Sequence, residues 1–217
     1  MRRARCPVKR EARRSDDTHP LAADVGRVYR VNAARFDAER TRDLWERVWL
    51  DRFTARLPPD GRVLDAGCGA GEPIAGHLIA EGFRVTGLDA SAPMLALARS
   101  RWPNGDWREG DMAALDLPER FDGILGWNSF FHLTPSAQRR SLAAFARHLR
   151  PGGVLLLTVG PEAGERIGRV GDDPVYHASL APKEYRDTLA RLGLTVLAFV
   201  AEDPACRGQT VLMAGRH

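Results

Sequence analysis

The sequence predicts an α/β fold, a doubly wound and mostly parallel sheet of seven strands with helices on both faces and a C-terminal antiparallel hairpin. Three observations carry that expectation. Short apolar runs, each closed by glycine or an acid, alternate with helical patterns from residue 62 to 149, which implies parallel strands joined by right-handed helical crossovers. The run over 152–160 is almost wholly apolar, as a central strand covered on both faces must be. The last two apolar runs, 194–203 and 209–216, are joined by only a few residues, too few for a crossover, so they pair antiparallel.

The elements follow in order. Leu44, Trp45, Val48, Trp49, Phe53 and Leu57 share one helical face and predict an amphipathic helix over 41–57, stopped by Pro58 and Pro59. A strand over 62–67 leads into a helix over 73–81, whose proline suits a first turn. The next pair is a strand over 84–89 and a helix over 93–101 with Met94, Leu97 and Ala98 facing inward. A short third strand is expected over 106–111 and a fourth over 121–128. A helix over 136–149 follows, with Leu142, Phe145, Ala146 and Leu149 on one side. Residues 160–182 hold glycines and prolines without periodicity and predict a long irregular substrate-side loop or lid. A helix over 183–192 precedes the final hairpin.

At 217 residues, 44% hydrophobic and 28% charged, the chain has material for one substantial core, so a single domain is expected over 21–217. No run reaches the ~18 apolar residues of a membrane span, and the N-terminus lacks the apolar segment of an export signal. The chain therefore reads as cytoplasmic, with no membrane partner. Cys6, Cys68 and Cys206 are too scattered for a disulfide framework or a CxxC metal knuckle, and no metal site is expected. Residues 1–20 hold seven arginines and lysines against three acids, a surplus equal to the whole formal charge of +4. That arm has almost nothing apolar to bury and reads as disordered, with a nucleic-acid tether the lesser alternative.

Ligands of open α/β sheets sit beyond the carboxyl ends of the strands. In this chain those ends carry Asp65 to Gly71, Asp89 with Ala90, Asp111 with Met112, and Trp127 to His132. Gly67, Gly69 and Gly71 would let a ligand approach the backbone closely, but Glu72 stands where a dinucleotide fingerprint has its third glycine. A pyrophosphate is a poor guest among Asp65, Glu72, Asp89 and Asp111. A cation bearing hydroxyls and an exocyclic amine is a good one.

This ordered set, an Asp-x-Gly-x-Gly turn, an acid closing the second strand, Gly-Asp-Met after the third and a polar aromatic run after the fourth, resembles the class I S-adenosylmethionine-dependent methyltransferases over roughly residues 25–217. The resemblance implies a Rossmann-like fold and S-adenosylmethionine as cofactor. It implies that Asp65 orients the methionine amino group and that Gly67 and Gly69 make room for the methionine part and sugar. Asp89, followed by Ala90, would take the ribose hydroxyls, and Asp111 and Met112 the adenine. Trp127 and Asn128 would line the sulfonium side, and Tyr29 and Arg40 would close over the cofactor.

The same resemblance narrows the acceptor. Asn128-Ser129-Phe130-Phe131 is not the Pro-Pro-aromatic signature of base-amine methylators, and no Pro-Cys nucleophile or paired-glutamate loop is present. A small molecule methylated at O or N is expected, with nucleic acid an unlikely partner. Segments 160–162 and 175–180 are similar to a bacterial subgroup of small methyltransferases. Ser129, Phe130, Glu162 and Tyr176 are candidates for the acceptor wall, and His177 and His132 for a general base. A cofactor-binding protein without catalysis and a nicotinamide-dependent oxidoreductase are the alternatives.

Overall fold

The computed structural model describes residues 19–217, so the basic arm lies, but for its last two residues, outside the described residues. The strands are β1 (Arg62–Ala66), β2 (Arg84–Asp89), β3 (Asp106–Glu109), β4 (Phe121–Gly126), β5 (Leu149–Val159), β6 (Gly164–Val170), β7 (Asp173–Ser179), β8 (Leu194–Asp203) and β9 (Gln209–Arg216). Seven form one sheet in the order β3-β2-β1-β4-β5-β9-β8, and β6 pairs with β7 alone. The first five strands of the sheet run parallel, while β9 is antiparallel to both β5 and β8. This is the mostly parallel seven-stranded sheet, with its terminal antiparallel pair, that the alternation of runs predicts.

The helices are α1 (Pro20–Val31), α2 (Ala33–Glu39), α3 (Arg47–Thr54), α4 (Ile74–Ala80), α5 (Ala92–Arg101), α6 (Pro135–His148) and α7 (Pro182–Arg191). Successive strand residues point to opposite faces, and the two cores follow from that rule. Val63, Leu125 and Leu156 pack with Trp49, Leu50 and Phe53 of α3 and with Leu95 and Ala98 of α5. Leu64, Ile124, Leu155 and Leu157 pack with Leu142 and Phe145 of α6 and Leu189 of α7 on the other face. The connections diverge at β1, which has β2 on one side and β4 on the other, and this switch point is where a ligand crevice forms.

Three stretches differ from the sequence expectation, the first being the helix expected over 41–57, which is α3 over Arg47–Thr54 alone. Residues 20–39, given no element by the sequence pattern, form α1 and α2. Leu21, Val25, Val28 and Tyr29 have the i, i+4, i+7, i+8 spacing of a helix, and Pro20 stands in its first turn. The segment 160–182 is not an irregular loop. Most of it is the antiparallel hairpin β6–β7, in register from Gly164 opposite Ser179 to Val170 opposite Asp173. Val170 and Val175 meet Val28 of α1, but β6 is otherwise largely exposed while β7 buries residues of both faces, Val175 and Ser179 on one and Tyr176 and Ala178 on the other, so neither strand carries the apolar alternation that marks a half-buried strand in sequence.

Candidate active site

Beyond the carboxyl ends of β1, β2 and β4 lies a cavity of about 380 Å³, floored by the loops after these strands and roofed by α1 and α2. Gly67 has φ +85°, and a Cβ there would lie 2.2 Å from the Ser129 Cβ, so close packing against the loop after β4 demands this glycine. Gly69 differs. At φ +54° a Cβ would meet nothing within 4 Å, which leaves bare backbone facing open space at the cavity floor.

Asp89 is held from both sides. Gly69 N donates to its Oδ2 and Ser91 N to its Oδ1, each at 2.8 Å. Its carboxyl is nonetheless raised above the ordinary range, burial outweighing these backbone hydrogen bonds. Asp65 is 3% exposed, and burial pushes its carboxyl up to about 7. The nearby Arg40 opposes that shift, while Asp89 and Glu46 add to it. Asp111 lies at the exposed rim, where its Oδ1 caps the short turn after β3 by accepting from Ala113 N at 2.8 Å, and Met112 lines the cavity beside it. Glu72 also borders the cavity, but Arg42 answers its charge at 2.5 Å.

Trp127 and Asn128 reach the cavity from the end of β4, and Asn128 adopts φ +52°. Trp127 Nε1 and Asn128 Oδ1 are both buried without a hydrogen-bond partner. A buried donor and acceptor left unpaired at a cavity wall are groups a ligand can satisfy. Together with the carboxylates of Asp65, Asp89 and Asp111 they make a donor set that fits S-adenosylmethionine: acids for ammonium, ribose and adenine amine, and bare backbone for the methionine chain. Arg40, Ala90 and Tyr29 border the same space.

The roof contributes a hydrogen-bonded chain. His132 Nδ1 lies 2.9 Å from the Tyr176 carbonyl oxygen, which only accepts, so Nδ1 carries the proton. Nε2 is then the acceptor for Tyr29 Oη–H at 3.0 Å. Burial, with a smaller contribution from the neighbouring His177, lowers the His132 imidazole to about 4, although the Tyr176 carbonyl favours its cation. The ring is neutral at physiological pH. Burial above all raises the Tyr29 phenol to about 12.

Four expected acceptor residues are placed differently from one another. Ser129 lines the cavity, but its hydroxyl donates to Ala66 O at 2.6 Å and ties the β4 loop to β1. Phe130 is fully buried against Phe145, 6.2 Å between ring centroids, because the turn after β4 directs it into the sheet core. Tyr176 is fully buried with its ring 4.4 Å from His19, and Glu162 is exposed ahead of the hairpin. Phe130, Tyr176 and Glu162 are not among the cavity's walls. Nor is His177, whose ring on β7 packs between Phe131 and His132 at 4.8 Å from each, a half-buried place behind the cavity.

Sequence reasoning missed Ala22, Ala23 and Gly26, by which α1 covers the cavity, and the α1 periodicity could have found them. It also missed Glu46. This residue has no exposed surface and neither carboxylate oxygen has a hydrogen-bond partner, and burial raises its carboxyl.

A family model described as a methyltransferase domain matches residues 63–153. The chain is 33% identical over 109 residues to a dTDP-3-amino-3,4,6-trideoxy-alpha-D-glucopyranose N,N-dimethyltransferase of Streptomyces venezuelae, covering 49% of this chain and 46% of that protein. It is 31% identical over 175 residues to a trans-aconitate 2-methyltransferase of Rhodopseudomonas palustris, covering 74% and 62%. Among the first curated relatives it matches, the chain spans about half the length of each. The fold superposes with TM-score 0.67 and 25% identity on an S-adenosylmethionine-bound amino pentose methyltransferase from Micromonospora echinaspora, covering 86% of this chain and 96% of that one.

Proposed function

With residues 63–153 a methyltransferase domain set in the fold of the S-adenosylmethionine-dependent methyltransferases, we propose that this chain is a cytoplasmic enzyme that methylates a nitrogen of a small-molecule acceptor. The observation that carries the cofactor reading is Asp89. One backbone amide holds each oxygen, which fixes the carboxylate and leaves a lone pair on each for two neighbouring ribose hydroxyls. Asp65, when ionised, suits the cofactor's ammonium, and Asp111 its adenine amine. The ammonium is the group a dinucleotide lacks, whereas its adenine amine would suit Asp111 equally.

When bound, S-adenosylmethionine supplies a sulfonium methyl that an in-line nucleophile displaces, one bond to carbon forming as the carbon–sulfur bond breaks. What this chain adds is position. A hydroxyl acceptor must shed its proton as it attacks and calls for a competent base, whereas His132, near 4, is a weak one and its Nε2 is already engaged by Tyr29. An uncharged amine attacks with its own lone pair and releases a proton after the C–N bond has formed. It needs only an oriented acceptor for its N–H. Tyr29 Oη, with its proton committed to His132, offers that acceptor at the cavity wall. The N,N-dimethyltransferase relative of Streptomyces venezuelae supports the same choice.

The test is a product assay with labelled S-adenosylmethionine and a panel of amino sugars, hydroxylated sugars and carboxylic acids. N-methyl products are expected. Methyl ether or ester products alone would overturn the assignment to nitrogen.

A further inference from the structure

The cavity has a neighbour. Phe36, Arg40 and Asn128 line both it and a second hollow of about 380 Å³, bounded by α2, the β6–β7 turn and the turn before β9. The volume is that of a small-ligand site rather than of a macromolecular groove. Its charge is one-sided: Arg35, Arg40, Arg169 and Arg207 line it against a single acid, Glu39. Glu39 is already spent, accepting from Arg35 Nε at 2.8 Å.

The remaining three arginines have no carboxylate within 4.0 Å among the described residues. Two are propped on aromatic faces instead, Arg40 over Phe36 at 5.8 Å and Arg207 over Trp45 at 5.4 Å, and Arg169 donates to the Asp172 carbonyl at 2.6 Å. Residues 21–217 carry equal numbers of acids and bases, so acids were available for pairing. The acids that act on Arg40 and Arg207 from further off are Glu46 and Asp65, buried carboxyls that burial pushes up, and guanidinium groups gathered around one hollow with so little counter-charge repel one another and raise its potential, a cost that an incoming anion reverses. The planar fork of arginine suits the paired oxygens of carboxylate or phosphate.

We propose that this hollow is the anion subsite of the methyl acceptor, holding a carboxylate or phosphate group of the molecule whose nitrogen reaches the cofactor beside Asn128. The assignment of the anion to the acceptor rests on the methyltransferase reading. Because Arg40 also faces Asp65 across the first cavity, the residues that define the subsite by themselves are Arg169 and Arg207, both exposed on turns or edges where substitution leaves the core intact.

The test titrates inorganic pyrophosphate and, separately, citrate into the full chain at low salt by calorimetry, with and without saturating S-adenosylhomocysteine. One-to-one binding of at least one probe is expected, pyrophosphate preference marking a phosphate acceptor and citrate preference a carboxylate one. The R169Q/R207Q double variant should weaken that binding at least about tenfold, while R169K/R207K retains part of it and R52Q, outside the hollow, leaves it unchanged. Affinity for S-adenosylhomocysteine should stay within about threefold in all of them. Failure of both probes to bind, or equal binding by wild type and R169Q/R207Q, overturns the subsite. If S-adenosylhomocysteine does not bind while the probes do, the methyltransferase reading falls, and the assignment of the anion to an acceptor falls with it.

Discussion

The floor and the roof of the cavity are built by different means. In the floor, Asp65, Gly69 and Asp89 lie within twenty-five residues of one another at the ends of adjacent strands, and backbone amides fix the key carboxylate. In the roof, every informative contact spans a long stretch of chain: Tyr29 to His132 across 103 residues, His132 to Tyr176 across 44, and Asn32 to Asp173, at 2.8 Å, across 141. The floor is a local consequence of strand ends. The roof exists only once α1, the β4 loop and the hairpin have docked, so cofactor binding and acceptor chemistry should respond separately to substitution.

The largest expected effect breaks the floor. Asp89→Asn replaces one carboxylate oxygen by a donor and removes the charge-assisted bonds to both amides and to the ribose, so affinity for S-adenosylhomocysteine should fall about a hundredfold by calorimetry. A change below about fivefold would mean that Asp89 is only a turn residue. Next comes the roof: Tyr29→Phe should lower kcat about tenfold to thirtyfold with cofactor affinity within about threefold. The reverse pattern would make Tyr29 part of the floor.

A pH titration sharpens the contrast further. The folded Asp65 carboxyl is raised to about 7, so below that pH it is largely protonated and its attraction for an ammonium group is lost as pH falls. Affinity for S-adenosylhomocysteine should therefore rise up to about tenfold between pH 6 and pH 8, and Asp65→Asn should flatten the profile. The smallest effect belongs to His177→Ala. Since its ring packs behind His132 rather than in the cavity wall, kcat should change less than about threefold, whereas a loss of a hundredfold would restore His177 as the base.

The sheet was legible because its strands are apolar runs at regular intervals, and Asp65, Asp89 and Asp111 were legible because each follows such a run. Cys68, in the loop after β1, is buried, and burial, then Asp65 and Asp89, keep its thiol well above its ordinary value. The roof was harder to read. The periodic residues of α1 follow directly on the arginine-rich arm, whose composition dominates that end of the chain. In the hairpin β6 is mostly exposed and β7 is buried on both faces, so nothing periodic marks it. Phe130 and Glu46 failed for a shared reason, since residue type says little about which way a side chain turns at the end of an element. An aromatic expected at the acceptor lies in the core, and a carboxylate on a helix that looked merely amphipathic is wholly buried.

One calorimetric comparison bears most directly on the central claim, that the acids at the strand ends select a sulfonium nucleoside. S-adenosylhomocysteine and NADH would each be titrated into the wild-type chain. The account predicts one-to-one binding of S-adenosylhomocysteine and no saturable heat from NADH. Binding of NADH with none of S-adenosylhomocysteine would contradict it.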